Sequence, residues 1–427
     1  MSSLANEWQV APLGQLSDIA IGGTPSRDIG RYWASDGEEG EPWVSIADMT
    51  QRVLFETKER ITSAGIANSN VKRVAAQTVL MSFKLSLGKV AVAGTDLYTN
   101  EAIAAFRPGQ ALDSRFLYYA LPDAVSRTAT DVAIKGATLN KASLAAIPLR
   151  HPALPIQQRI AAIITNVDNA IESTEALIEK HQQIKAGLMH DLFTRGVLAS
   201  GELRPTRAAA PELYREQSGS WFPEGWQFER LDDLALRGSG HTPNKDVAEY
   251  WNGGIKWVSL ADSYRLDTLY ISDTESTISH RGIQNSSAVL HPAGIVVLSR
   301  DAGVGKSAIT TEPMAVSQHF MCWKCDQRLD NHFLYYWLQF QKRTFENIAM
   351  GSTILTIGLP YFKKLRIACP VDLEEQRRIA IRLKAADENL FALQRRLSKL
   401  RTQKLGLMQD LLTGKVPVKV PEPAIPA

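Results

Sequence analysis

Cysteine is nearly missing from this chain of 427 residues, which has only Cys322, Cys325 and Cys369. Such a sparse, odd set builds no disulfide framework and suits a reducing compartment, so a cytoplasmic protein is expected. No window approaches 18 uninterrupted apolar residues, so no membrane-spanning helix is expected. The opening Met1-Ser2-Ser3-Leu4-Ala5-Asn6-Glu7-Trp8 has neither a basic n-region nor an apolar core, so no signal peptide is expected. An excess of one charge sign is missing too. With 48 Lys plus Arg against 45 Asp plus Glu, the net charge is only +3, and nothing chain-wide announces a nucleic-acid or membrane partner. A composition 44% hydrophobic and 22% charged excludes a disordered chain, and the length predicts two or three domains.

The distribution of charge says more than its sum. Residues 1–150 carry 15 basic and 15 acidic side chains, and residues 220–370 carry the same numbers. The stretch 151–219 has 7 basic against 8 acidic, and the tail 371–427 has 11 against 7. Two balanced blocks of matched size suggest duplication.

Self-similarity confirms it. Trp8-Gln9 recurs as Trp226-Gln227, Thr24-Pro25 as Thr242-Pro243, and Tyr32-Trp33 as Tyr250-Trp251. Trp43-Val44-Ser45-Ile46-Ala47-Asp48 answers Trp257-Val258-Ser259-Leu260-Ala261-Asp262, with a short insertion around Asp36–Glu41 in the first copy. Gly88-Lys89 matches Gly305-Lys306, and Phe116-Leu117-Tyr118-Tyr119 matches Phe333-Leu334-Tyr335-Tyr336. Ordered matches at slowly drifting offsets make the chain two copies of one unit.

Each copy opens with short β-branched and aromatic runs between Gly, Pro, Asn and Asp, such as Thr78–Ser82 and Ile295–Ser299. A mixed α/β (α+β) domain without regular βαβ alternation is predicted. A long helix follows. In the first copy its seam reads Ile160, Ile164, Val167, Ile171, Thr174, Ile178, His181, Lys185, Leu188, Leu192. In the second it reads Ile379, Leu383, Ala386, Leu390, Leu393, Leu397, Leu400, Lys404, Leu407, Leu411. Alternating steps of four and three define a coiled-coil seam, and a lysine interrupting both at one register is a pairing device. Each seam spans roughly 48 Å at 1.5 Å per residue. The predicted order is domain 1–153, helix 154–196, linker 197–219, domain 220–371, helix 372–413 and a Pro-rich tail 414–427. The linker composition suggests mobility.

Catalytic signatures are also lacking. Ala302-Gly303-Val304-Gly305-Lys306-Ser307 resembles the end of a phosphate-binding loop, but Arg300 stands where a leading glycine is needed. A glycine turn carrying a lysine is the better reading. Cys322-x-x-Cys325 has half of a zinc-site spacing and no second pair, so it reads as strand. Asp48, Glu56 and Lys58 mimic a metal-nuclease cluster, yet the second copy has no Glu-x-Lys, and a surface charge cluster is the reading. No metal site, cofactor fingerprint or base-methylation motif is found. The expectation is a non-catalytic protein.

Binding features remain. Gly22-Gly23-Thr24-Pro25-Ser26-Arg27 and Gly238-Ser239-Gly240-His241-Thr242-Pro243-Asn244-Lys245 are Gly-rich loops ending in hydrogen-bonding and basic residues. Thr24, Ser26, Arg27, Thr242, Asn244 and Lys245 are candidates for contact with phosphates or base edges. The plainer reading is a tight turn over a core Tyr-Trp pair. Lys84, Lys89, Arg300 and Lys306 flank the turn after the Val-Leu-Met-Ser and Val-Val-Leu-Ser runs and are candidates for a basic edge. The run Arg395, Arg396, Lys399, Arg401, Lys404 is by default a solvated helix face.

The layout resembles the specificity subunit of type I restriction-modification systems, over essentially the whole chain. The resemblance is carried by Trp221–Trp226 and by the Thr-Pro, Tyr-Trp and Trp-Val-Ser-x-Ala-Asp series in both copies. Leu154-Pro155-x-Gln157-x-Arg159-Ile160-Ala161 with Leu373-x-x-Gln376-x-Arg378-Ile379-Ala380, and the paired Gly-Leu-Met-x-Asp-Leu helix ends, complete it. The resemblance implies two target-recognition domains, each reading half of a split DNA sequence in the major groove. It implies that the two long helices pack antiparallel as a ruler and dock two modification (methyltransferase) subunits, and that restriction (translocase/nuclease) subunits join them. The helix positions implicated are Ile160, Ile164, Ile171, Ile178, Lys185, Leu188, Ile379, Leu383, Leu390, Leu397, Lys404 and Leu407. Methylation with S-adenosylmethionine and ATP- and Mg-dependent cleavage then belong to the partners. The formally neutral recognition domains imply weak DNA binding by the isolated chain. The competing reading is a pseudo-symmetric coiled-coil scaffold for protein partners without DNA readout.

Overall fold

The structure, a computed structural model, describes residues 8–419 except 36, 85–86, 135–138 and 352–354. The segment 1–7 and most of the Pro-rich tail therefore lie outside the described residues. The chain divides into two compact units, residues 1–175 with 396–427 and residues 176–395. Each unit thus contains one mixed α/β domain, the start of its own long helix and the end of the other copy's helix.

The first unit has a five-stranded sheet in the order Ser17–Ile21, Ile103–Pro108, Val79–Ser82, Val90–Ala93, Val53–Leu54. A four-stranded sheet runs Glu59–Ile61, Glu41–Val44, Leu97–Thr99, Arg73–Val74. In each sheet a single pairing is parallel, Val53–Leu54 with Val90–Ala93 and Glu41–Val44 with Leu97–Thr99. The second unit repeats both orders. Its larger sheet runs Ala235–Ser239, Phe320–Cys325, Val296–Ser299, Ser307–Thr310, Tyr270–Ile271. Its smaller sheet runs Thr277–Ile278, Trp251–Val258, Met314–Val316, Leu290–His291, again with one parallel pairing per sheet. The duplication read from sequence therefore holds strand for strand.

Two-residue periodicity explains why the Val-Leu-Met-Ser and Val-Val-Leu-Ser runs are strands. Val79 and Met81 enter one apolar cluster while Leu80 enters another. Val296 and Leu298 likewise part from Val297. A strand covered on both faces needs apolar residues at every position. Helices Ser114–Ile134 and Asn331–Ile348 cover one face, burying Phe116 and Leu117 in the first unit and Phe333 and Leu334 in the second.

The long helices run Leu154–Arg195 and Leu373–Leu412, 42 and 40 residues. Every seam position read from sequence is buried or half-buried, whereas Glu172, Ser173, Glu175 and Ala176 between them are exposed. Within the first unit, Ile160 and Ile164 share a core with Leu411, and Leu407 packs against it. Within the second, Ile379 and Leu383 share a core with Leu192, and Leu188 packs against it. Asp168 meets Lys404 and Glu175 meets Arg401 in the first unit, and Lys185 meets Asp387 and Val197 meets Glu375 in the second. Residue numbers thus rise along one segment as they fall along its partner, and the two segments in each unit are antiparallel.

A buried glutamine fixes each helix start to its domain. Gln157 Nε2 donates to Ala111 O at 2.9 Å and Pro152 O at 2.8 Å, while its Oε1 accepts from Asp113 N at 2.9 Å. Gln376 repeats this with Arg328 O at 3.0 Å, Pro370 O at 2.8 Å and Asp330 N at 2.8 Å. Asp113 and Asp330 in turn cap the domain helices by accepting from Phe116 N and Phe333 N, each at 3.0 Å. The glutamine of the Gln-x-Arg-Ile-Ala motif is thus a buried adaptor that satisfies otherwise orphaned backbone groups.

The linker differs from its expected mobility. Buried Glu375 forms an ion pair with Arg204, and it accepts from Trp226 Nε1 at 3.0 Å and from Val197 N at 3.0 Å. Tyr214–Gln217 and Ser220–Pro223 form a hairpin. Gly- and Pro-containing composition marks turns here rather than freedom, because Glu375 lies on a distant helix that composition does not reveal.

Candidate nucleic-acid interface

Both Thr-Pro loops are built the same way. Gly22 and Gly240 lie against the ends of neighbouring strands, where a Cβ would fall 2.1 Å from Thr99 O and 1.5 Å from Val316 O respectively. Only glycine permits that approach. Two tryptophans then hold each loop by its carbonyls. Trp43 Nε1 donates to Gly23 O at 2.9 Å and Trp33 Nε1 to Ser26 O at 3.2 Å. Trp257 Nε1 donates to His241 O at 3.1 Å and Trp251 Nε1 to Asn244 O at 3.1 Å. The rings meet edge to face, 5.0 Å apart in the first unit and 5.1 Å in the second. The tryptophan of each Tyr-Trp pair is therefore loop scaffold as well as packing.

The candidate side chains stand on this scaffold. Thr24 donates to Glu101, and the contact holds the Glu101 carboxyl below its usual range. Thr242 donates to Gln318 Oε1 at 2.5 Å. Ser26 is exposed. Arg27 donates to Glu59 through Nη1 and Nη2 and lies 3.8 Å above the Trp33 ring. The Glu59 hydrogen bond raises its pKa further. Asn244 Oδ1 accepts from Asp246 N at 3.0 Å, an Asx turn, and Lys245 is exposed.

A cavity of about 570 Å³ opens in the second unit, lined by Thr242, Lys245, Trp251, Trp257, Gln318 and His319 among others. In the first unit the Arg27 guanidinium, paired with Glu59, lies over the rings of both Trp33 and Trp43. Glu101, Gln318, Glu59 and His319 were not singled out by sequence reading. Their only signal is position: Glu101 and Gln318 lie two residues beyond matched strands, His319 three, and Glu59 opposite Trp43.

The proposed basic edge divides. Lys84 and Lys89 are exposed. Arg300 is half-buried, its Nε donating to Ile357 O at 3.0 Å, and Lys306 Nζ donates to Ser263 O at 3.1 Å. The two second-unit residues are thus engaged in holding loops. Gly88 and Gly305 take φ of +88° and +85°, so the Gly-Lys pairs mark left-handed turns.

The other motifs have structural roles. Ser45-x-x-Asp48 is a turn in which Asp48 accepts from Ser45 N at 2.8 Å and Lys58 N at 3.0 Å. Asp262 repeats it with Ser259 N at 2.8 Å and Glu275 N at 2.7 Å. Lys58 contributes its backbone, not its ammonium. Cys322 and Cys325 lie on one strand, Phe320–Cys325, at odd separation, so their side chains leave on opposite faces. Burial pushes both thiols up to about 12. Among the described residues no group of three or more His, Cys, Asp and Glu is placed to hold a metal. No helix among them is long and apolar enough to cross a membrane.

The seam lysines join the copies. Lys404 Nζ lies 2.7 Å from Asp168 Oδ1, and Tyr119 Oη donates to Asp168 Oδ2 at 2.7 Å. In the second unit Lys185 pairs with Asp387, and Tyr336 Oη donates to Asp387 Oδ2 at 3.0 Å. Burial beside a carboxylate raises both phenols well above their usual range. The last tyrosine of each Phe-Leu-Tyr-Tyr motif is thus a partner of the seam. The remaining helix candidates, Ile171, Ile178, Leu390 and Leu397, are seam residues, buried or half-buried.

The profile of the type I restriction modification DNA specificity domain matches residues 5–183 and again 223–400. The chain belongs to that family. The two matches fall on the two copies, so the duplication is one of whole specificity domains. The MjaIX specificity subunit of Methanocaldococcus jannaschii is 23% identical over 390 residues, covering 85% of this chain and 82% of that one. The type I restriction-modification S subunit from M. genitalium is similar in fold, with a TM-score of 0.58 at 14% identity, covering 95% of this chain and 96% of that one. A chain from a type I R-M system complex matches with a TM-score of 0.57 at 17% identity, covering 96% of this chain and 99% of that one.

Proposed function

We propose that this chain is the sequence-specific DNA-recognition subunit of a type I restriction-modification complex. Its recognition domains, residues 1–153 and 220–371, each read one half of a split target. The observation that carries this reading is the pair of matched Thr-Pro loops, held alike by two tryptophans yet armed with different side chains. An identical scaffold with divergent tips suits two readers of two sequences. Thr24, Ser26, Arg27, Thr242, Asn244 and Lys245 face DNA in this reading, and exposed Lys84 and Lys89 supply phosphate contacts. Arg300 and Lys306 position loops.

The long helices dock two modification subunits, and restriction subunits join that assembly in the cytoplasm. The chain itself is non-catalytic and binds no cofactor. S-adenosylmethionine, ATP and Mg serve the partners. Because each recognition domain is formally neutral, affinity comes largely from partners that enclose the DNA, since phosphate neutralisation dominates binding strength.

Mapping N6-methyladenine in the genome with and without this gene tests the reading. Loss of one two-part motif is the expected result, and an unchanged methylation pattern would overturn it. The purified chain alone is expected to bind DNA weakly.

A further inference from the structure

We propose that residues 101 and 318 are equivalent specificity-determining positions, one in each recognition loop, that select the base read there by whether the side chain only accepts hydrogen bonds or both donates and accepts them. This rests on the DNA-recognition reading above. The two residues follow matched strands, Leu97–Thr99 and Met314–Val316, and each takes the hydroxyl of its loop threonine. Both are exposed. Their surroundings are built, not accidental: the threonine is set by a glycine that admits no Cβ and by two indole N–H bonds.

What differs is the chemistry presented. Glu101 is a carboxylate, held ionised by Thr24, and can only accept hydrogen bonds. Gln318 gives one lone pair of its Oε1 to the Thr242 hydroxyl, keeps the second, and carries two donor hydrogens on Nε2. Nε2 lies 3.4 Å from His319 Nε2, and His319 is oriented by Asp301 Oδ2, 2.8 Å from its Nδ1. With Nδ1–H donating to Asp301, His319 Nε2 accepts one amide hydrogen and leaves the other for a ligand. Ser317, 1% exposed and lining the same cavity, has an Oγ without a hydrogen-bond partner among the described residues.

The base classes follow from the major-groove code. An acceptor-only carboxylate fits an exocyclic amino group, most simply the cytosine N4 amine. A carboxamide fits adenine, whose N7 accepts beside its N6 donor. Glu101 therefore reads an amino-bearing base in one half-site and Gln318 reads adenine in the other.

The test uses the complete complex with its modification subunits. Gln318→Glu and Gln318→Ala are prepared alongside wild type, and the methylated motif of each is mapped on genomic DNA. Because Gln318 is exposed, both variants are expected to melt within a few degrees of wild type, and either alone can report. Glutamate is expected to move one base position in one half-site from adenine towards cytosine, and alanine to relax that same position. A good bidentate contact changes discrimination by roughly tenfold or more, which methylome mapping resolves. Glu101→Gln is expected to shift one position of the other half-site towards adenine. An unchanged motif in the variants overturns the proposal, and so does loss of methylation in both halves by a normally folded complex. A wild-type complex that methylates no two-part motif defeats the underlying reading instead.

Discussion

Lys404, on the second long helix, closes on Asp168 of the first at 2.7 Å, and Asp168 also holds Tyr119 at 2.7 Å. Lys185 makes the matching bond to Asp387, which holds Tyr336. Each copy thus supplies the lysine that pairs with the other copy's carboxylate, buried at Asp168 and half-buried at Asp387. A shift of either helix by one heptad would strand a charge among apolar side chains, so the triads enforce one register.

Removing one partner should therefore cost more than removing both. Lys404→Met leaves the Asp168 carboxylate, 9% exposed, without its cation. The lysine is partly solvated, so the expected loss is about 1–3 kcal/mol. Lys404→Met combined with Asp168→Asn should recover part of it. A double-mutant cycle by thermal denaturation checks this, and additive losses would show that the pair is uncoupled.

Gln376→Leu strands Asp330 N and the carbonyls of Arg328 and Pro370. Unpaired buried groups cost about 1–3 kcal/mol each. The second unit should lose several kcal/mol, and hydrogen exchange should accelerate at Asp330 and around the start of the second long helix. Gln157→Leu should do the same in the first unit.

Gly240→Ala forces a methyl group onto Val316 O and must displace the loop. We expect one half-site to lose specificity while the other survives, with little change in melting because the loop is at the surface. Methylation mapping of the variant complex reads this directly. Loss of both half-sites together would contradict it.

Cys322, Cys325 and Cys369 are all pushed up to about 12 from 9.0 by burial. The folded chain keeps these protons after the unfolded chain has released its own. Stability from this source is accordingly present below about pH 9 and is lost as pH rises from there towards 12. At pH 8 the native protein should resist thiol alkylation and should label at three sites once unfolded, as mass spectrometry will show.

The sequence by itself determined what local periodicity and repetition encode. Offsets between Trp43 and Trp257, or Tyr119 and Tyr336, established two copies, and steps of four and three established the helical seams with their lysines. Those signals depend on neighbours a few residues apart or on a motif recurring. Tertiary structure alone decided which groups meet. That Lys185 reaches Asp387, 202 residues away, follows from antiparallel helix segments whose register no single-sequence pattern reports. The same reason hid Glu375 as the anchor of the linker. It also hid Glu101 and Gln318, whose importance lies in one hydrogen bond to a threonine 77 and 76 residues distant. Arg300 and Lys306 read as free cations in sequence because their carbonyl partners, Ile357 and Ser263, become neighbours only when the chain folds.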